Sequence, residues 1–304
     1  MYVHRVATID VVVVSYNSRP HLRSCVEPLC RLDGVHVVVV DNASADESVA
    51  TVADLPVTVI ARPDNAGFAV GSNDGWRVGS GTVVLFLNPD ASIDEASLRR
   101  LAAALEQDGG AGAAVPRIEH PDGSLAYSLR RFPRLRSTFA QALFLHRVFP
   151  RAAWPDELVK DEAVYARAGS PEWASGACLL VRRSALVELD GWDEGFFLYG
   201  EDVDLCRRLR AAGYELRYEP DSLAVHHEGA SASRAAALPL LAAARIRYAR
   251  KHLPPLAAAL ERVGVGLWAL THVVVSRGGA ADRKGHAQAL RLVISGAEPV
   301  RPGN

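Results

Sequence analysis

The sequence predicts an α/β fold: a Rossmann-like, mostly parallel sheet of doubly wound type, flanked by helices and followed by a helical C-terminal extension. In the first third of the chain, short apolar runs of strand length alternate with amphipathic segments. Turn-forming residues separate these runs. A hydrophobic content of 49% in a chain of 304 residues suffices for a full core and excludes disordered and collagen-like architectures.

Apolar runs predict four strands in this region, at residues 9–14, 35–40, 57–61 and 82–87. The intervening segments predict helices at residues 20–32, 67–78 and 96–107. Two capping boxes add support. Ser44 with Glu47 is expected to open a further short helix, and Ser92 with Glu95 precedes the helix at 96–107. Strands that alternate with helices are typical of a parallel sheet, because parallel strands need crossover connections.

The second half of the chain is less regular. Residues 116–172 are rich in Pro and Arg and are predicted to be irregular. A strand is predicted at 177–181, a helix at 201–212, and two short strands at 215–218 and 223–226. From about residue 235 the pattern is helical, with an interruption at Pro254-Pro255.

We therefore divide the chain into a main domain, residues 1–233, and a basic helical extension, residues 234–304. Within the main domain, residues 1–115 form the regular half and residues 116–233 the less regular half. The extension holds eleven Lys/Arg against three Asp/Glu, whereas the main domain has a balance of −9. Such a basic tail is typical of contact with an anionic membrane or nucleic acid, or simply of solvated helix faces. Nucleic acid is disfavoured, because no aromatic residues are interleaved with the basic ones.

Cysteine spacing and hydropathy bear on the compartment. Cys25, Cys30, Cys178 and Cys206 match neither a metal pair nor a disulfide framework, which indicates reduced thiols of a cytosolic protein. The N-terminal apolar run is interpreted as a first strand and not as a signal peptide. A spanning helix is not expected, because residues 263–275 form too short an apolar run before Arg277.

Polar residues follow all four predicted strands. In an open parallel sheet, ligands bind at the carboxyl ends of the strands, so these residues predict a polar ligand site. Ordinary turn chemistry is the alternative. The residues concerned are Ser15, Tyr16, Asn17, Asp41, Asn42, Arg62, Asp64, Asn65, Asn88, Pro89 and Asp90.

Asp90 follows an apolar run in an Asn-Pro-Asp turn. A carboxylate at this edge suits a hard divalent cation that shares its oxygen ligands with substrate phosphates, although an Asx-type turn is the simpler interpretation. The segment from Asn65 to Asn73 contains Gly67 and Gly71, which would let the backbone approach a ligand at a helix N-terminus. It is neither a P-loop nor a dinucleotide fingerprint.

Acids and aromatics crowd into residues 190–204, which contain Trp192, Asp193, Tyr199, Glu201 and Asp202. Acids in a first helical turn are ordinary, because they complement the helix dipole. Aromatic faces beside carboxylates are what a sugar-binding cleft requires. His226-His227, followed by Glu228, Gly229 and Ser231, would be either structural or part of a metal site with Asp90.

Together these segments resemble family 2 glycosyltransferases of the GT-A fold, and are most similar to the bacterial rhamnosyltransferase branch. The motifs, within residues 9–231, are VVSYN, VVVDNAS, DNAGFAVGSN, FLNPD, WASGACLLVRRSAL, GWDEGFFLYGEDVDLCRRLRAAGY and VHHEGAS.

The resemblance implies that residues 1–115 are a nucleotide-binding half and residues 116–233 an acceptor-binding half. It also implies roles for individual residues. Asp202, in the Glu201-Asp202 motif, would be the general base. Asp90 and His226, with His227 as the alternative histidine, would ligate Mg²⁺ or Mn²⁺. Asn88 stands where the family usually has an acid. The donor side would comprise Tyr16, Asn17, Asp41, Arg62, Asn65, Gly67, Asn73, Asn88 and Asp90, of which Tyr16 and Asp41 would hold the base and sugar of the nucleotide. The acceptor side would comprise Trp173, Gly176, Trp192, Asp193 and Tyr199.

The function that this resemblance implies is inverting transfer of L-rhamnose from dTDP-rhamnose to a glycan or polyprenyl-diphosphate-linked acceptor. The alternatives are transfer of another hexose or deoxysugar to a polysaccharide or natural product, and an inactive sugar-nucleotide-binding module. One general base without a separate nucleophile fits a single displacement with inversion. The expected location is the cytoplasm, with peripheral contact at the inner face of the plasma membrane.

The extension lies outside the resemblance. In residues 235–275, apolar side chains recur three or four residues apart among Arg245, Arg247, Arg250, Lys251 and Arg262. This pattern predicts an amphipathic helix whose cations meet lipid headgroups. The alternative is that these helices pack onto the main domain or form a homodimer interface.

Overall fold

The structure, a computed structural model, describes residues 8–149, 151–227, 234–275 and 279–296. Ten strands were assigned within these residues: β1 Ile9–Ser15, β2 Val35–Asp41, β3 Thr58–Ala61, β4 Val83–Leu87, β5 Ala91–Ile93, β6 Ala111–Glu119, β7 Leu129–Arg130, β8 Trp173–Ala174, β9 Cys178–Arg182 and β10 Glu215–His226. The helices over the same residues are α1 Arg19–Val26, α2 Phe68–Val78, α3 Glu95–Gln107, α4 Leu135–Ala142, α5 Leu145–Val148, α6 Glu162–Tyr165, α7 Arg183–Leu189, α8 Glu201–Ala211, α9 Arg234–His252, α10 Pro255–Val275 and α11 Gly279–Ser295. Two 3₁₀ turns, Leu29–Arg31 and Ser48–Val52, complete them.

Eight of these strands form one sheet in the order β3-β2-β1-β4-β9-β6-β10-β5. The four predicted N-terminal strands are parallel, as expected from their crossovers. β9 then lies antiparallel between β4 and β6, while β10 runs parallel to β6 and β5 antiparallel to β10. The prediction of a mostly parallel sheet flanked by helices, with a helical C-terminal region, is confirmed.

The valine-rich strands are buried on both faces of the sheet. In β1, Val11 and Val13 pack on one side with α1 and α3, whereas Val12 and Val14 pack on the other side with α2. This alternation follows from the two-residue period of a strand. The sheet is therefore the middle layer of three, and only its edges are open to ligands.

Several local predictions were wrong. All of β6 was missed. Its first residues, Ala-Gly-Ala-Ala-Val, lack the β-branched run that marks a strand, and residues 116–119 fell in the region predicted to be irregular. The two strands predicted at 215–226 are one strand, β10, with an irregularity between Glu219 and Leu223. Residues 116–172, predicted to be irregular, contain the short helices α4–α6.

The two predicted capping boxes do not form. Asp94, and not Ser92, caps α3, because its carboxylate accepts a hydrogen bond from the Ser97 amide at 2.7 Å. The residues after Ser44 form only a 3₁₀ turn that begins at Ser48.

The C-terminal helices pack onto the main domain. Tyr248 of α9 lies in the same core cluster as the residues under α8. Arg245 donates to Glu157 at 2.6 Å and also bonds Glu261 and Thr138, so it ties α9, α10 and α4 together. Such buried charges are tolerated only when each has a partner.

The cations predicted to meet lipid mostly contact protein instead. Arg247 and Lys251 pair with Asp193, at 2.8 and 2.6 Å. Arg262 donates to the Val293 carbonyl at 2.9 Å, and Arg245 is held as described above. Of the five cations predicted to meet lipid, Arg250 alone is exposed and forms no ion pair with another described residue.

One described helix, α10, is long and apolar enough to cross a membrane by length and composition alone. The sequence-based expectation of no such segment rested on residues 263–275 and missed the earlier turns of this helix. In the fold, α10 packs against α4, α9 and α11. Helices that pack on a domain can be equally long and apolar, so the contacts of α10 say more about its position than its composition does.

Candidate functional site

Buried polar atoms without protein partners collect where β1 and β2 end. The parallel register places Ser15 opposite Asp41, at the carboxyl edge of the sheet. Within the described residues, the Ser15 hydroxyl, one oxygen of Asp41 and the amide oxygen of Asn42 are buried and accept or donate no hydrogen bond. Such groups are costly unless a ligand or water satisfies them. This edge is therefore a candidate binding site for a polar ligand.

The loops beside these atoms are held in place by the predicted donor residues. Asn17 has a positive φ of 52°. The side-chain oxygen of Asn17 accepts a hydrogen bond from the Ala45 backbone amide at 2.9 Å, and the Asn17 backbone amide donates to the Ser44 hydroxyl at 2.9 Å. Tyr16, immediately before, is half-buried at the same edge. Asp41 uses its second oxygen to accept from the Ser44 amide at 3.0 Å.

Arg62, Asn65 and Gly67 border the same edge at the end of β3 and the start of α2. Arg62 pairs with Asp74 and, at 3.6 Å, with Asp64. The Asn65 side chain accepts from the Gly67 amide at 3.1 Å. Gly67 has φ +94°, and a Cβ there would overlap the Phe197 carbonyl oxygen. Glycine is therefore required where the donor side meets the loop before α8.

Asn73 is fully buried and acts as a brace. Its amide nitrogen donates to the Trp192 carbonyl and to Glu194, both at 2.9 Å. Its amide oxygen accepts from the Trp192 amide at 2.9 Å and from the Trp76 indole at 3.0 Å. These four bonds use the whole hydrogen-bonding capacity of the side chain. Asn73 therefore fixes the loop that starts at Trp192, and its contact with a donor stays a prediction.

Asn88, Asp90 and His226 come together because β5 pairs with the end of β10. Ala91 lies opposite His226 in that pair. His226 Nε2 lies 3.2 Å from Asp90 Oδ1 and 3.3 Å from the amide nitrogen of Asn88. Burial disfavours the charged form of Asp90, but the hydrogen bond and charge of His226 outweigh it and lower the Asp90 pKa.

The geometry separates the two histidines. His227 uses its backbone amide to donate to the Asp90 carbonyl at 3.0 Å, and its ring stacks near that of His21 with centroids 5.3 Å apart. His226 is therefore the histidine whose ring faces Asp90. Glu228, Gly229 and Ser231 of the predicted motif lie outside the described residues.

The pair Asp90–His226 fits a divalent cation. Two neighbouring ligands of an octahedral ion, each about 2.1 Å from it, lie about 3.0 Å apart, close to the 3.2 Å between these two atoms. No group of three His, Cys, Asp or Glu side chains suited to a metal occurs among the described residues. The pair would thus leave most positions to substrate phosphate and water, as Mg²⁺ sites usually do.

Glu201 and Asp202 are the first two residues of α8. Asp202 is half-buried and accepts from the amides of Val203 at 2.8 Å and Gly176 at 3.3 Å. Burial raises its pKa, although these two bonds and the charge of Arg130 oppose the rise. Glu201 is buried, and burial and the neighbouring Asp202 charge raise its pKa. Asp202 is therefore the more accessible of the two carboxylates.

Two hydrogen bonds link the segment at Asn88 and Asp90 to Asp202. The Asn88 amide donates to the Ala177 carbonyl at 2.9 Å. Gly176, the residue before Ala177, donates to Asp202. Asp90 and Asp202 therefore flank the same short segment before β9, although 112 positions separate them in the sequence.

The remaining predicted acceptor residues have mixed positions. Trp173 is largely buried, and its indole donates to the Arg131 carbonyl at 2.8 Å. Trp192 is buried in the core, edge-on to Phe68 and Phe86. Asp193 is bound by α9 cations, and its pKa is lowered to about 2 by hydrogen bonds from Lys251, Gly195 and Arg247 despite burial. Tyr199 is half-buried with φ 69°.

Two residues near the cleft were not predicted. Arg130 lies over the Trp173 ring at 5.4 Å and its charge lowers the pKa of Asp202. His21 lies near enough for its charge to lower the pKa of Asp90. The Arg-rich stretch containing Arg130 was visible in the sequence, but nothing in its spacing linked it to residue 202.

The chain is similar to known glycosyltransferases. The profile of Glycosyl transferase family 2 matches residues 10–187. An N-acetylglucosaminyl-diphospho-decaprenol L-rhamnosyltransferase of Mycobacterium tuberculosis is 33% identical over 241 residues, which cover 74% of this chain and 78% of that protein. Rhamnosyltransferase WbbL of Escherichia coli K12 is 33% identical over 153 residues, 50% of this chain and 54% of that protein.

A solved structure shares the fold. The mannosyltransferase PcManGT of Pyrobaculum calidifontis, in complex with GDP-Man and Mn²⁺, superposes with a TM-score of 0.60 at 16% identity. The match covers 97% of this chain and 89% of that one. At this level of identity the likeness shows the GT-A arrangement of the sheet and nothing about the ligands of this chain.

Proposed function

The chain belongs to glycosyl transferase family 2, and from this membership we propose that it transfers L-rhamnose from dTDP-rhamnose to a polyprenyl-diphosphate-linked glycan, with inversion. The mycobacterial relative is an N-acetylglucosaminyl-diphospho-decaprenol L-rhamnosyltransferase, which supports both the sugar and the acceptor class. Transfer of another hexose or deoxysugar is the second candidate, because a hexosyltransferase of Haloferax volcanii is 25% identical over 207 residues of this chain.

One observation carries the proposal. Unsatisfied buried oxygens at Ser15, Asp41 and Asn42 line the sheet edge, and the pair Asp90–His226 ends the same edge. Asp202 lies across the adjoining segment. The nucleoside would satisfy the first group, its diphosphate would reach the second, and the sugar beyond the diphosphate would face a carboxylate base. This order of groups is what a single displacement at an anomeric carbon needs.

The chain's own residues account for most of the proposed mechanism. Asp202 takes the proton of the acceptor hydroxyl as the oxygen attacks the anomeric carbon and the nucleoside diphosphate departs. The amides of Val203 and Gly176 hold the Asp202 carboxylate in position. Asp90 and His226 would hold Mg²⁺ or Mn²⁺, which supplies positive charge to the leaving diphosphate.

A thermal-shift panel of nucleotide sugars, with and without Mn²⁺, tests the donor side. A donor at about 100 times its dissociation constant should stabilise the fold by about 2.7 kcal/mol. We expect dTDP-rhamnose to stabilise most, and only with the metal. Stabilisation by another nucleotide sugar alone would favour the second candidate, and stabilisation without turnover on any acceptor would favour an inactive binding module.

The metal assignment is tested by chelation and by substitution. We expect EDTA to abolish transfer and added Mn²⁺ to restore it, because the diphosphate loses its counterion. Asp90→Ala should abolish both the transfer and the Mn²⁺-dependent part of the donor shift. Asp94→Ala, which removes only the cap of α3, is the control. Full transfer in excess chelator would show that Asp90 and His226 do not hold a required cation.

We also propose that the enzyme works in the cytoplasm. The four cysteines are free thiols, and three of them are buried, as suits a reducing compartment. The acceptor of the mycobacterial relative is lipid-linked, so contact with the inner face of the plasma membrane is part of the proposal.

A further inference from the structure

Exposed apolar side chains occur on α10 and on the segment from α4 to Trp154. On α10, five of them recur three, four or seven residues apart, which places them on one stripe of the helix. We call the whole set the apolar face. It consists of Leu143, Val148, Phe149, Trp154, Leu256, Leu260, Val263, Leu270 and Val274.

The two parts of the apolar face are neighbours. The Thr271 hydroxyl donates to the Ala142 carbonyl at 2.8 Å, and the rings of Phe144 and His272 lie 4.5 Å apart. The end of α4 therefore lies beside the last turns of α10. Leu143 follows Ala142 directly, and Leu270 and Val274 lie within one turn of Thr271, so the two parts adjoin at the C-terminal end of α10.

The charge on this surface has one sign. Residues 123–155 contain no Asp or Glu, and Arg147 and Arg151 are exposed there beside Phe149 and Trp154. The only acid of α10, Glu261, is buried and paired with Arg245. The described part of the apolar face thus combines exposed cations with apolar and aromatic side chains and has no exposed acid.

We propose that the apolar face docks the enzyme on an anionic lipid bilayer. Aromatic and aliphatic side chains with nearby arginines are the composition of an interfacial membrane contact. A second copy of the chain fits less well, because a twofold interface brings the same surface against itself and would oppose cations with cations. α10 lies on the membrane and does not cross it, because Glu261 is held by Thr138 of the main domain and by Arg245 of α9.

The docking proposal rests on the membrane contact named in the proposed function and assigns it to a surface, and it is tested without donor or acceptor. The full chain is sedimented with vesicles of phosphatidylcholine alone, and with vesicles that also contain phosphatidylglycerol. We expect binding to the anionic vesicles at low salt, weaker binding at high salt, and little binding to phosphatidylcholine alone.

Two pairs of variants locate the contact. Each arginine near an anionic bilayer changes the partition coefficient by about fivefold, so Arg147→Gln with Arg151→Gln should lower it by about 25-fold. Arg167→Gln, at an exposed position outside the apolar face, is the control. Val274→Asn should weaken binding, whereas Val187→Asn on α7 should not, although the two valines are 74% and 64% exposed.

Three results would overturn the proposal: a protein that stays in the supernatant at low salt, a loss of binding that is equal in the control variants, and a dimer in light scattering that Val274→Asn dissociates. The last result would mean that the apolar face binds a second copy of the chain. Because no substrate is present, a failure of docking leaves the transferase proposal standing, and a failure of transfer leaves the docking result standing.

Discussion

Asp202 is half-buried, carries two backbone hydrogen bonds and has a raised pKa, and these properties together suit a general base. Asp202→Asn keeps the shape but removes the proton acceptor, so we expect turnover to fall by about 10² to 10⁴. Donor binding, measured by thermal shift, should survive. Glu201→Gln should cost less, because Glu201 is buried behind Asp202. A near-normal rate in Asp202→Asn would move the base to another carboxylate.

Substitution of Arg130 tests the role of Asp202 through the pH dependence of the reaction. Its charge holds the pKa of Asp202 lower than burial alone would set it. Arg130→Gln should therefore raise that pKa further. A base works only when ionised, so the acid limb of the pH dependence of kcat/KM should move to higher pH. Arg131→Gln is the matched control, because Arg131 donates to the Leu158 carbonyl instead. An unmoved limb in Arg130→Gln would remove Asp202 as the titrating group.

At the scale of elements, Gly67 joins the start of α2 to the loop before α8. The Phe68 amide donates to the Phe197 carbonyl at 2.9 Å, so the donor side and the acceptor loop share one contact. Gly67→Ala should destabilise the protein by about 2 kcal/mol more than Gly34→Ala, as measured by urea unfolding. Both glycines have positive φ, but a Cβ at Gly34 meets no other atom within 4 Å. Equal losses would show that the contact with Phe197 is not tight.

Elements with a strong pattern were predictable, and those fixed by distant partners were not. Val11–Val14 and Val37–Val40 specified buried strands because a fully apolar run has few other places in a fold. β6 owes its place to β9 and β10 and not to its own alanines. β5 is a strand only because β10 pairs with it.

The same distinction holds for the site. The strand-end residues Asp41 and Asp90 were predictable, because a parallel sheet collects such residues at one edge. The burial of Trp192 and the bracing role of Asn73 were not, since both depend on contacts across 119 positions of sequence. Aromatic and amide residues look alike in a sequence whether they line a cleft or support it.

At the scale of the whole molecule, the C-terminal extension is part of the working structure. Arg245→Met would leave Glu157 and Glu261 buried without their cation, and we expect a loss of about 3 kcal/mol in unfolding free energy. Arg247→Met removes an exposed pair with Asp193 and should cost under about 1 kcal/mol. Urea titrations of both variants measure this difference. Equal, small losses would mean that the buried cluster does not hold the extension.

The position of β9 has a consequence for how the chain is made. β4 is a central strand only because β9 covers its second edge, and β9 begins 91 residues after β4 ends. While the chain is being synthesised, the apolar strand Val83–Leu87 therefore waits with one edge unpaired. Such an edge invites pairing with other chains. The first 115 residues are thus poorly suited to fold alone, and β4 gains its second neighbouring strand only after residue 182 has left the ribosome.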